Sequence, residues 1–410
     1  MKTRLFHGWV VVAATHVALF VVFGVAYAFA AFFSAFQSEF AARRGDVSLV
    51  FAISGFLYFL LGAFAGTVSD RFGPRRIALF GIACLAAGLL AASQARSLAT
   101  LYVTYSIGVG LGVGFVYVPS VGAVQPWFLK RRALASGLAV AGIGLGTLVV
   151  PLLAAEFIEA FGWRRAFEVL AIGALVLGAA AALLLDNRPG RRGLGADGSP
   201  AAASPAPGAP PPGATLAEAL RSRPFWLLFA GTAFCSVGLF MPFVHLAPYA
   251  QDHGHAPETG VLLVGLIGFG SLVGRFGFGG LGDRFGRAAL LAVVYAGMAA
   301  MLAVWLVSTG VFALGVFAVL FGTFYGAMVA LAPPLVMDLF GARSVAGIIG
   351  FVYTAAGLGN LVGPAFAGYA YDLAGSYSVP IATGIVCNLV AMACALALRR
   401  GRPERAPRAA

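Results

Sequence analysis

Apolar stretches of twenty or more residues recur along the whole chain, separated by short charged breaks. A helix of about 20 apolar residues spans a hydrocarbon core about 30 Å thick. The rest of the composition agrees. Hydrophobic residues make up 60% of the 410 and charged residues only 10%, with a mean hydropathy of +0.93. A soluble domain carries about 25% charged residues. The expected fold class is an all-α membrane protein with twelve transmembrane helices. The basic segment 1–7 and the "AYA" at 26–28 look like parts of a signal peptide. The apolar run continues to about Phe36, far beyond a signal core, so it is read as a retained first span.

The net charge of +12 sits in short blocks between apolar segments, without interleaved aromatics. That arrangement excludes nucleic-acid binding and suits a topology signal. With the N-terminus inside, 21 Lys/Arg fall on the cytoplasmic face. Five fall in the opposite loops: Arg43, Arg44, Arg96, Arg164 and Arg165. The bias predicts an integral plasma (inner) membrane protein with both termini cytoplasmic. Cys84, Cys235, Cys387 and Cys394 lie inside apolar segments without metal-ligand spacing, so they are expected to pack. No metal or cofactor is expected. There is no H-E-x-x-H, no G-x-S-x-G and no clustered acidic pair, which argues against an enzyme.

The only long hydrophilic stretch, rich in Pro, Ala and Gly, divides the spans six from six. The expected organisation is an N-terminal six-helix half (1–186), a cytoplasmic linker (187–223), a C-terminal six-helix half (224–398) and a basic tail (399–410). Thr215 and Glu218 have capping-box spacing, which predicts a short helix before Pro224. "GTVSDRFGPRR" (66–76) after span two returns as "GGLGDRFGRAA" (279–289) after span eight. The repeat, at half the chain length, fits parallel halves derived by duplication.

These two stretches resemble the signature of the major facilitator superfamily, G-x-x-x-D-R-x-G-x-x-R. The matching residues are Gly66, Asp70, Arg71, Gly73 and Arg76 in the first half, and Gly279, Asp283, Arg284 and Gly286 in the second. The resemblance implies a gating latch, in which the acid caps a helix or pairs with a cation on a neighbour. "WFLKRRALASGLAVAGIGLG" (127–146), with Lys130 and Arg131, is similar to the monocarboxylate transporter family, as are "HGWVVV" (7–12) and "VHLAPYAQDHG" (244–254).

Arg275 stands alone in span eight, with Glu258 and Asp283 as its nearest charged neighbours in sequence. Eight residues before Asp283 places it about 12 Å into the membrane. An arginine there costs at least about 2.5–3.5 kcal/mol, so it is expected to face an aqueous cavity. Its planar fork matches a carboxylate. Tyr117, Tyr325, Tyr27, Tyr353 and Asn360 are further candidates for the cavity wall. Related oxalate–formate exchangers place a lysine in span eleven, where this chain has Ala356 in "YTAAG". One cation therefore suits one negative charge.

The resemblance implies alternating-access transport of small monocarboxylates such as L-lactate or pyruvate with a proton. The alternatives are oxalate/formate-type exchange and drug or sugar efflux. Mammalian relatives carry D-x-x-x-R in span eight, and this chain has Ser271 at the acid position. His245 and Asp252 are the candidate proton carriers. A monomer in the bilayer is a plausible functional unit.

Overall fold

The computed structural model describes residues 6–199, 213–341 and 343–400. The tail, the centre of the linker, and the side chains of Asp70 and Asp283, with Gly279, lie outside the described residues. Among the described residues, eleven helical segments are long and apolar enough to cross a membrane. One of them, Leu134–Leu184, has 51 residues, about twice the length a crossing needs. It turns back at Gly162 (φ 80°, ψ 159°). Its two ends meet: the indole N–H of Trp127, just before the segment, donates to the Asp186 carbonyl just after it, at 2.6 Å. The chain thus makes twelve crossings. Spans five and six share this segment, with Gly162 as the hinge between them.

In order, the other spans are His7–Glu39, Arg44–Ser69, Pro74–Ser93 and Leu98–Trp127 in the first half. The second half has Arg223–Asp252, Pro257–Phe278, Arg287–Val307, Val311–Phe340, Val345–Ala374 and Ser378–Arg399. The face holding residue 6, the turn at 128–131 and the linker ends is called the linker face below. Phe6 packs edge-on against Trp127 and Phe128 there.

The duplication is visible in the backbone. The helices of spans two and eight run on to Phe72 and Phe285, and each ends at a glycine with positive φ. Gly73 lies at φ 87°, ψ 145° and Gly286 at φ 83°, ψ 125°. Only a residue without a Cβ takes this conformation cheaply, so the repeated glycines set two equivalent turns. Spans one and seven are each broken near their middle, at Ala28 and at Phe240.

Two helix pairs join the halves. Span two packs along span eleven, and span five along span eight. Small residues make the approach possible. A methyl group on Gly268 would come within 2.6 Å of the Gly144 carbonyl oxygen, and one on Gly368 within 2.6 Å of the Gly45 Cα. The linker returns against the bundle, with Ala214 N–H donating to the Phe340 carbonyl at 2.7 Å. The short helix Leu216–Leu220 follows, with both hydrogen bonds of the Thr215–Glu218 capping box formed. Its backbone bonds hold the Glu218 carboxyl below the usual range.

Gly268→Val is expected to force spans five and eight apart. Overpacking of this kind costs about 1–3 kcal/mol, read as a lower thermal midpoint of the detergent-purified protein. An unchanged midpoint would show that the seam tolerates a side chain.

Candidate functional site

Between the halves, at mid-depth, lies a cavity of about 60 Å³. The N-terminal half contributes Phe23, Tyr27, Phe59, Tyr117 and Ile143. The C-terminal half contributes Arg275, Tyr325 and Tyr353, with Thr232, Ser236 and Tyr295 among others. The wall continues towards the linker face through Leu228, Leu291 and Ala332.

Arg275 is 6% exposed, and its guanidinium crosses the seam. Its Nη1 donates to the Val140 carbonyl of span five at 2.6 Å. Its guanidinium carbon lies 5.9 Å from the Tyr325 ring centroid, within cation–π range. The Nε and Nη2 donors are buried with no hydrogen-bond partner, and no carboxylate pairs with the side chain among the described residues. A buried cation with spare donors is costly until a ligand satisfies them. Ser271, one helical turn earlier, is buried and its hydroxyl has no partner either.

The tyrosines gather around this cation from both halves. The Tyr27 and Tyr325 hydroxyls approach to 3.4 Å. Tyr117 and Tyr353 stack at 6.4 Å between centroids. Asn360 is not in the wall. Its side chain lies over Gly55, where the missing Cβ leaves room, and its amide donates to the Ala52 carbonyl at 3.3 Å. It therefore packs span eleven on span two.

His245 and Asp252 are also away from the cavity wall, in the closure of the opposite face. Arg44, opening span two, makes a bidentate bridge to Asp252 at the end of span seven, with both contacts at 2.6 Å. Asp372 accepts from the backbone N–H groups of Arg44 and Gly45 at 3.0 and 2.8 Å. Arg44 Nη1 also donates to the Tyr377 hydroxyl at 2.9 Å, and the His245 Nδ1 lies 3.0 Å from that oxygen. Burial pushes the Tyr377 phenol above its usual range, so it stays protonated and donates to Nδ1. The matching tautomer carries its proton on Nε2, 2.8 Å from the Pro364 carbonyl and 3.2 Å from Ser48 Oγ. Spans two, seven and eleven meet there.

At the linker face the repeated turns carry Arg71 and Arg284, both exposed, over the neighbouring rings of Phe72 and Phe285 at 5.3 and 5.5 Å. Gly66 faces Val118 of span four, and Arg76 is exposed. Lys130 and Arg131 project into solvent, while the Lys130 backbone N–H is held by Asp197 at 3.0 Å. The second turn forms an ion pair, Arg287 to Asp338 of span ten at 2.6 Å.

The Major Facilitator Superfamily model matches residues 15–315 and 233–410. Monocarboxylate transporter 13 of Rattus norvegicus is 27% identical over 97% of this chain and 92% of its own length. Monocarboxylate transporter 11 of Mus musculus is 30% identical over 93% and 84%. The chain belongs to the Major Facilitator Superfamily and is related within it to the monocarboxylate transporters. Among solved structures, an inward-facing, unoccupied bacterial homolog of the human lysosomal transporter Spinster shares the fold. Its TM-score is 0.69 at 17% identity, over 97% of each chain.

The sequence did not point to several wall residues of this facilitator. Phe23 sits one turn before Tyr27, and that spacing was a usable signal. Thr232 and Ser236 share a face of span seven at the same spacing, but hydroxyl residues in apolar helices commonly bond their own backbone. Thr232 does so, to the Leu228 carbonyl at 2.8 Å, whereas the Ser236 hydroxyl is buried without a partner. Arg44 looked like an ordinary loop charge.

Asp252→Ala removes the bidentate bridge to Arg44, one of the contacts joining the halves at the face opposite the linker. In a chain with its native cysteines replaced, a cysteine at Phe33 is expected to react several-fold faster with a membrane-impermeant maleimide once Asp252 is changed. An equal rate would remove the Arg44–Asp252 bridge from the closure.

Proposed function

We propose that this facilitator carries small monocarboxylates, such as L-lactate or pyruvate, across the membrane together with a proton, by alternating access. The observation that carries the reading is Arg275, a buried cation in the central cavity with two unused donors. Two N–H groups of one guanidinium meet the two oxygens of one carboxylate. The size of the cavity agrees. At about 60 Å³ it suits a small solute rather than a large one. Ala356 lines the same cavity, where an exchanger of dicarboxylates would place a second cation. The names of the relatives point the same way.

The substrate carboxylate docks on Arg275, and Tyr325, Tyr27, Tyr117 or Tyr353 supplies a hydroxyl to a 2-hydroxy or 2-oxo group. The anion offsets the Arg275 charge in the cavity, and the proton keeps the net charge of the whole loaded carrier as it was when empty. Asp252 and His245 are the proton carriers of this scheme. Protonation of Asp252 weakens its hold on Arg44 and lowers the cost of opening that face. The positive-inside bias makes the linker face cytoplasmic, with both termini there, in a plasma (inner) membrane. The closed Arg44–Asp252 face and the wall running towards Ala332 then describe an inward-facing carrier. The repeated turns at Asp70 and Asp283 act as the opposing latch. One chain holds the whole site, so a monomer suffices.

Proteoliposomes given an inward proton gradient are expected to accumulate labelled L-lactate or pyruvate. Arg275→Ala is expected to lower uptake at least 100-fold, and Arg275→Lys, which keeps the charge but loses the fork, by tenfold or more. Full activity of Arg275→Ala would sink the reading.

Asp252→Asn is expected to abolish the response to the proton gradient while labelled-for-unlabelled exchange persists. A gradient response of normal size in this variant would move the proton elsewhere.

A further inference from the structure

A second, larger cavity of about 380 Å³ opens at the linker face, away from the transport cavity. Two separate segments build it. The turn between spans two and three supplies Arg71, Arg75 and Arg76, and the chain leaving span six supplies Asp186, Arg188 and Arg191. All five arginines are exposed, and none is paired with a carboxylate among the described residues. Asp186, the only acid in the wall, is already engaged by Arg192 Nε at 3.2 Å and by the Arg188 backbone N–H at 3.0 Å. Five guanidiniums lining one concavity repel one another, and this arrangement is stabilised when an anion of high charge sits among them.

The position of the cavity selects the kind of anion. It lies where span two ends at Ser69, span three begins at Pro74 and the sixth span ends at Leu184, at the edge of the apolar layer. Phe72, in the wall itself, is 50% exposed, and Leu184, beside it, is 49% exposed. Charged forks on one side and bare apolar side chains on the other match a molecule with a phosphate head and an acyl body. Arginine forks bind phosphate oxygens in a bidentate manner. Basic pockets at the membrane surface take multiply charged lipid heads.

We propose that this cavity binds the headgroup of an anionic phospholipid carrying at least two phosphates, with its acyl chains against Phe72 and Leu184. Five cations exceed what a single phosphodiester neutralises, which favours the doubly charged head. Both segments belong to the N-terminal half, so the bound lipid ties the gating turn at Gly73 to the start of the linker without bridging the two halves.

Delipidated full-length protein in detergent tests this by native mass spectrometry and thermal melting. The probes are cardiolipin, phosphatidylglycerol, phosphatidylcholine and free inorganic pyrophosphate. Cardiolipin is expected to be retained and to raise the midpoint, phosphatidylglycerol to act less, and phosphatidylcholine not at all. The double variant Arg75→Ala/Arg191→Ala is expected to bind cardiolipin at least tenfold more weakly. Arg75→Lys/Arg191→Lys, which keeps the charge and guards against misfolding of the first variant, is expected to lose several-fold. Equal retention by both variants and the wild type would overturn the proposal. Protection by pyrophosphate equal to that by cardiolipin would overturn the lipid as the source, and equal binding of phosphatidylcholine would overturn the role of the arginines.

Discussion

The hydrogen bond from Arg275 to the Val140 carbonyl is the interaction on which the organisation of the site depends. It joins span eight to span five across the seam between the halves. The cation is too costly to leave in hydrocarbon, so it lies buried at the cavity between the two halves. One carbonyl satisfies one donor, and the Tyr325 ring lies within cation–π reach. Two of the arginine's donors, Nε and Nη2, are left buried without a partner among the described residues.

The two faces of the molecule are secured by different means. Opposite the linker, a bidentate Arg44–Asp252 bridge and the Tyr377–His245 chain fasten spans two, seven and eleven. The Arg44 bonds cross between the halves, whereas the Tyr377–His245 bond lies within the C-terminal half. At the linker face, the repeated Gly73 and Gly286 turns and the Arg287–Asp338 pair organise each half internally. The helix pairs two–eleven and five–eight lie between these faces, and their small residues let the two halves approach closely.

Much of this was legible in the chain. The apolar periods gave the crossings, because a bilayer leaves a long apolar helix few alternatives. The break between spans five and six was legible too: the helix continues through "AFGWRR" and reverses at Gly162, inside that charged break. The repeated D-R-F-G showed both turns. Arg275 and the four tyrosines of the wall could be picked out because polar groups are rare in such spans. Asn360 stands out for the same reason, but its side chain lies outside the cavity wall, in a space left by Gly55, and its amide N–H donates to the Ala52 carbonyl. The Arg44 closure was not legible, because its partners Asp252, Asp372 and Tyr377 are more than 200 residues away.

The sequence by itself determined the membrane class, the two-half duplication, the positions of both repeated glycine turns and the presence of one intramembrane cation. These follow from local composition and spacing, which the bilayer and the backbone read directly. Only the tertiary structure decided which polar residues meet. Whether a helix face looks at a cavity or at another helix depends on rotation and crossing angle, set by close contacts such as Gly144 against Gly268. That contact brings Val140 to Arg275, while Gly55 draws Asn360 away from the cavity.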